Sequence, residues 1–210
     1  MIDTLSYFKR LGVNAIQLMP IMEFNGNESW GYNPTFMFAP DKAYGPREKL
    51  KEFIDKCHTN GIAVILDIAL NHQDLPNPMA MLDFDFNAMR PTPANRWFNV
   101  EATHPFSVFY DMNHESTYTR AYVDTVARYW IDQYKVDGFR FDLSKGFTQT
   151  LNPTNVGAWG NYDASRIATL KRMADKIWEF DPNAFVILEH LADNTEERSE
   201  EHTSELQSRG

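Results

Sequence analysis

Stretches of apolar residues alternate along this chain with longer segments that are apolar on one side only. Val13 to Met19 is an apolar run closed by Pro20, and Ile62 to Ile68 is nearly continuous. Both read as short strands covered on both faces. Between them, Pro46 to Asn60 carries Leu50, Phe53, Ile54 and Cys57 on one side and charges on the other, with Gly61 placed to end a helix. Thr117 to Tyr134 predicts a long helix burying Val123, Val126, Ala127, Trp130 and Ile131. Val136 to Phe141, Asp163 to Phe180 and Phe185 to Leu188 then read as strand, helix and strand. A helix carrying Leu5, Tyr7, Phe8 and Leu11 and ending at Gly12 comes first. Helix and strand alternating in this way predict an α/β fold with parallel strands and right-handed crossovers.

Composition narrows the class. The chain has 210 residues, 43% hydrophobic and 14% aromatic, which suits a globular domain with a sizeable core. A formal net charge of −9 and the lack of a basic stripe argue against nucleic acid as a partner. The single cysteine, Cys57, excludes an internal disulfide framework, and no apolar run reaches the length of a membrane span. No signal peptide is visible. Met1 reads as an internal methionine, however, so the compartment is left open, secreted or periplasmic settings included.

The chemistry sits at strand ends. Gly138-Phe139-Arg140-Phe141-Asp142 puts an Arg inside an apolar strand and an Asp at its end, and the next strand ends in Glu189. In a parallel barrel both carboxyls would face one mouth, the minimum equipment for cleaving a glycosidic bond. Taken singly, a strand-end Asp caps the next helix and a strand-end Glu pairs with an Arg. Asp67-Ile68-Ala69-Leu70-Asn71-His72 closes another strand with polar groups.

These motifs resemble the catalytic (β/α)8 barrel of the α-amylase family, glycoside hydrolase family 13, from about the start to Glu197. Asp67 to His72, Gly138 to Gly146 and Leu188-Glu189 resemble three of its conserved segments. Tyr110-Asp111-Met112-Asn113 and Trp30-Gly31-Tyr32-Asn33-Pro34 resemble two shorter ones. The fold expected is a partial TIM barrel of about four parallel strands (residues 1–197), with a small lobe inserted at 73–116. The resemblance implies that Asp142 is the nucleophile, Glu189 the acid and then base, and Arg140 the group that keeps Asp142 ionised and oriented. It implies sugar contacts for His72, which would donate to a hydroxyl, Tyr32, which would offer its ring, and Lys145, toward the departing end. Asp67 is better read as a hydrogen-bonding residue than as a catalyst. Asn71 and Asp111 match ligands of a structural Ca²⁺, with a backbone carbonyl from Gly146 where relatives often have a His. The loop from Thr150 to Tyr162, with Trp159, reads as a second rim for substrate.

The activity implied is that of a retaining glycoside hydrolase cleaving α-1,4 bonds of an α-glucan partner such as starch. The alternatives are a debranching or branching enzyme of the family, a non-catalytic relative that binds, and a metal-dependent enzyme using Asp67, His72 and Asp142. The family's His-Asp segment, which carries its third carboxylate, has no counterpart here. The 210-residue chain alone is therefore expected to hydrolyse little or no starch. Residues 198–210 resemble a translated sequencing-adapter oligonucleotide and are left out of the expected fold.

Overall fold

A computed structural model describes residues 2–191. The adapter-like tail lies outside the described residues. Four helix–strand units follow one another: α1 (Leu5–Arg10) and β1 (Ala15–Leu18), α2 (Arg47–Thr59) and β2 (Ala63–Ile68), α3 (Thr117–Tyr134) and β3 (Gly138–Phe141), α4 (Ala164–Phe180) and β4 (Phe185–Leu188). The strands form one parallel sheet in the order β1-β2-β3-β4. Every unit expected from the hydrophobic pattern is present, and α3 has the bounds expected. Strands β1, β2 and β3 are shorter than their apolar runs, because pairing stops before burial does.

Local signals explain the helix ends. Ser116 accepts the Tyr118 N–H at the start of α3, and Asp163 accepts the N–H groups of Ser165 and Arg166 at the start of α4. Gly61, with φ +70°, follows α2 as the left-handed residue that a helix end favours. Strand β3 begins at Gly138 because the backbone of Phe185 on β4 lies against it. A Cβ at residue 138 would collide with the Phe185 backbone oxygen and nitrogen.

One face of the sheet is packed. Val64, Leu66, Ile68, Phe139 and Phe141 form a single cluster with Ile54 and Cys57 of α2, Val126 and Trp130 of α3, and Leu170 and Ile177 of α4. Arg172 of α4 and Asp124 of α3 close the helix layer with two charge-assisted bonds of 2.9 and 2.8 Å. Strand residues alternate between faces, so the opposite face carries Gln17, Asp67, Arg140 and Ile187. That face holds the polar chemistry.

A short hairpin, Met22–Phe24 against Pro34–Pro40, has no counterpart in the sequence reading. Its prolines and broken alternation hide it from a period-two pattern. Within 73–116 the chain forms a small lobe with a short helix, Pro78–Leu82, and a minimal hairpin, Phe84–Asp85 with Arg90–Pro91. The bridge of His72–Gln73 to Tyr110–Asp111 ties the end of the lobe back to its beginning.

Candidate active site

Arg140 is the hub of the polar face. It is the register partner of Asp67 on β2 and of Ile187 on β4, so its side chain stands between the ends of both neighbouring strands. Its Nη1 donates to both oxygens of Asp67 at 2.9 Å and to Asp142 Oδ1 at 3.0 Å. Its Nη2 lies 2.7 Å from Glu189 Oε1. One guanidinium thus gathers three carboxylates from the C-terminal ends of three adjacent strands. Tyr32 Oη donates to Asp67 Oδ2 at 3.1 Å, and Gln17 Nε2 reaches the same oxygen at 3.3 Å. Glu189 Oε2 accepts the backbone N–H of Leu143 at 3.0 Å. Leu143 has φ +44°, a strained conformation for a bulky residue, directly after Asp142.

The charge balance follows from this sharing. Burial and the neighbouring charge of Glu189 push the Asp142 carboxyl up to about 6, against the opposing pull of Arg140. Arg140 opposes the rise without cancelling it, its one charge being divided among three carboxylates. Asp67 is also raised by burial, with Arg140 and Tyr32 opposing. Burial and the nearby Asp67 push the Tyr32 hydroxyl up to about 12, so it stays a donor.

Two expected sugar contacts point inward instead. His72 is buried, its Nε2–H donates to the Tyr32 carbonyl at 2.7 Å, and its Nδ1 lies 3.4 Å from Asn71 Nδ2. Both ring nitrogens are therefore spent inside the protein, and burial lowers the pKa of the ring. What His72 does here is fix the backbone that carries Tyr32. Lys145 is buried as well, donating to the Leu191 carbonyl at 3.2 Å and lying 5.0 Å over the Trp159 ring.

Comparison with known proteins bears on the family. A family model described as "Alpha amylase, catalytic domain" matches residues 1–79. The 1,4-alpha-glucan branching enzyme of Vibrio parahaemolyticus is 33% identical over 194 residues, covering 87% of this chain and 24% of that protein. The malto-oligosyltrehalose trehalohydrolase of Saccharolobus solfataricus is 34% identical over 142 residues, 67% of this chain and 23% of that protein. A solved structure described as "Putative alpha Amylase from Salmonella typhimurium" superposes with a TM-score of 0.62 at 28% identity, covering 89% of this chain and 28% of its own. The chain belongs to the α-amylase family, as part of its catalytic barrel. It spans about a quarter of the length of the branching enzymes it matches.

For this partial α-amylase-family barrel, Asn71 and Asp111 meet at a second point, around His104. His104 Nε2 lies between them, 3.1 Å from Asn71 Oδ1 and 3.5 Å from Asp111 Oδ1. Nothing in the sequence distinguishes His104 from any loop histidine, and sequence reasoning misses it. It misses Gln17 too, although a signal exists, since Gln17 interrupts an apolar strand just as Arg140 does. The Thr150–Tyr162 loop is not an open rim at its centre. It forms a short helix, Val156–Gly160, whose Trp159 is buried against His104 and Phe106. Among the described residues, no helix is long and apolar enough to cross a membrane.

Proposed function

We propose that this chain supplies the nucleophile and the acid/base of a retaining enzyme that cleaves α-1,4 bonds of α-glucans. The observation that carries the reading is the sharing of one guanidinium by Asp142 and Glu189 at adjacent strand ends. Two carboxyls drawn to one Arg suit the short separation, about 5 Å, of a double displacement. Asp142 attacks the anomeric carbon while Glu189 gives its proton to the leaving oxygen, and Glu189 then activates the acceptor that releases the sugar. Tyr32, anchored through Asp67, would flank the sugar at the cleaved position. Arg140 keeps the nucleophile oriented and, above about pH 6, ionised.

The acceptor in the second step decides between hydrolysis and transfer. Water would make the enzyme α-amylase-like. A glucan hydroxyl would make it a branching enzyme, the reading favoured by the names of relatives 30–33% identical. The test begins by sequencing the source locus through both ends of this frame and expressing what it encodes on linear α-glucan. Appearance of reducing ends marks hydrolysis, and new α-1,6 linkages by proton NMR without reducing ends mark branching. Asp142→Asn and Glu189→Gln should each remove nearly all turnover. Undiminished activity in either variant would sink the assignment.

A further inference from the structure

Asn71, His104, Asp111 and Gly146 come from four separate stretches and converge on one buried point where the lobe meets the barrel. The family resemblance implies a calcium ion here, but the donors present do not fit one. Calcium takes six to eight oxygens at about 2.3–2.6 Å. The Gly146 carbonyl that the resemblance would enlist already accepts the Thr148 N–H at 2.8 Å. Asp111 Oδ2 accepts Asn99 Nδ2 at 2.7 Å and the Thr103 N–H at 3.2 Å. Asn71 Oδ1 faces an imidazole nitrogen rather than open space. A Cβ on residue 146 would collide with Asn71 Oδ1 and His104 Nε2, so the turn after Asp142 leaves no spare volume on its side.

We propose that the His104 imidazole takes the seat of the calcium ion and clamps lobe to barrel without metal. Its Nε2 faces two side-chain oxygens, both acceptors, so the network assigns the proton to that nitrogen. The His104 side chain is 0% exposed, and its ring stacks on Trp159 at 5.9 Å and 20°. Asp111 Oδ1 and the other ring nitrogen, His104 Nδ1, are both buried without a regular hydrogen bond. The 3.5 Å approach of His104 Nε2 is the polar contact the imidazole offers Asp111 Oδ1, and a smaller side chain would forfeit it. The same ring therefore joins the barrel (Asn71), the end of the lobe (Asp111) and the loop after the nucleophile (Trp159). A single hydrogen-bonding ring replaces a coordination sphere.

The test uses the full chain and calorimetric or spectroscopic unfolding in millimolar CaCl₂ and in EDTA. The expected midpoint is the same in both. Terbium, a calcium-sized probe, should give no saturable emission on tryptophan excitation, although Trp159 adjoins the seat. His104→Ala should lower the midpoint by roughly 5 °C or more, and His104→Gln, which keeps an N–H donor, should recover part of that loss. A calcium-dependent rise in the wild-type midpoint, or saturable terbium emission abolished by Asp111→Asn, overturns the proposal. So does a His104→Ala protein that melts at the wild-type temperature. If His104→Ala does not fold, the wild-type titrations and the comparison of His104→Gln with wild type still decide the matter.

Discussion

Replacing the candidate nucleophile with its neutral isostere should stabilise the fold. Asp142 is 18% exposed and shares Arg140 with Asp67 and Glu189, and its carboxyl is raised from 3.8 to about 6. At 1.36 kcal/mol per pH unit, keeping it ionised in the folded protein costs about 3 kcal/mol at neutral pH. The sign is fixed by linkage. Between 3.8 and 6 the folded state binds more protons than the unfolded one, so stability falls as pH rises through that window. The penalty is complete above about pH 6 and absent below 3.8. An asparagine side chain at this position cannot ionise, and its amide oxygen can still accept from Arg140 Nη1. The Asp142→Asn variant should therefore gain about 1–3 kcal/mol at pH 7.5, allowing for imperfect pairing of the new amide. For a chain of this size that is a rise of roughly 2–12 °C in the unfolding midpoint. The gain should shrink toward zero at pH 4. Paired thermal melts at the two pH values, followed by circular dichroism, make the measurement. A variant less stable than wild type at pH 7.5 would show that attraction to Arg140 outweighs burial and crowding. A gain that does not change with pH would refute the electrostatic account altogether.

Three further outcomes rest on other parts of the fold. Gly138→Ala should cost on the order of 3 kcal/mol, read as a lower urea midpoint at unchanged slope, because a Cβ there strikes the Phe185 backbone and the two strands must part. Burial pushes the Asp163 carboxyl up, but hydrogen bonds from Thr148, Ser165 and the Arg166 N–H outweigh it and bring it down to about 2. Asp163→Ala should lose about 1–2 kcal/mol above pH 4, and the difference from wild type should close as pH falls through 2. Cys57 is fully buried and burial pushes its thiol up to about 11, so it should resist aromatic disulfide reagents at pH 8 and react at once in guanidinium.

Where the sequence can be read and where it cannot follows the range of the interactions involved. The units from α2 to β4 are legible because burial against one core repeats at the period of each element, as in Val123, Val126, Trp130 and Ile131 of α3. Arg140 is legible for the opposite reason: a charge inside an apolar strand needs partners, and Asp67, Asp142 and Glu189 are those partners. The hairpin at Met22–Phe24 and Pro34–Pro40 escapes because its register shifts twice within three residues, leaving no period to detect. His72 and Lys145 mislead because their positions along the chain suit the mouth, while their directions are set by atoms distant in sequence, the Tyr32 carbonyl and the Trp159 ring. His104 is invisible for the same reason in stronger form. Its partners Asn71 and Trp159 lie 33 and 55 residues away, and no local pattern marks a histidine that three segments will close around. Side chains whose role comes from a strand period can thus be assigned from sequence. Those whose role comes from where loops converge have to be placed before they can be assigned, and in this chain the convergence around His104 is where sequence reasoning and structure part most sharply.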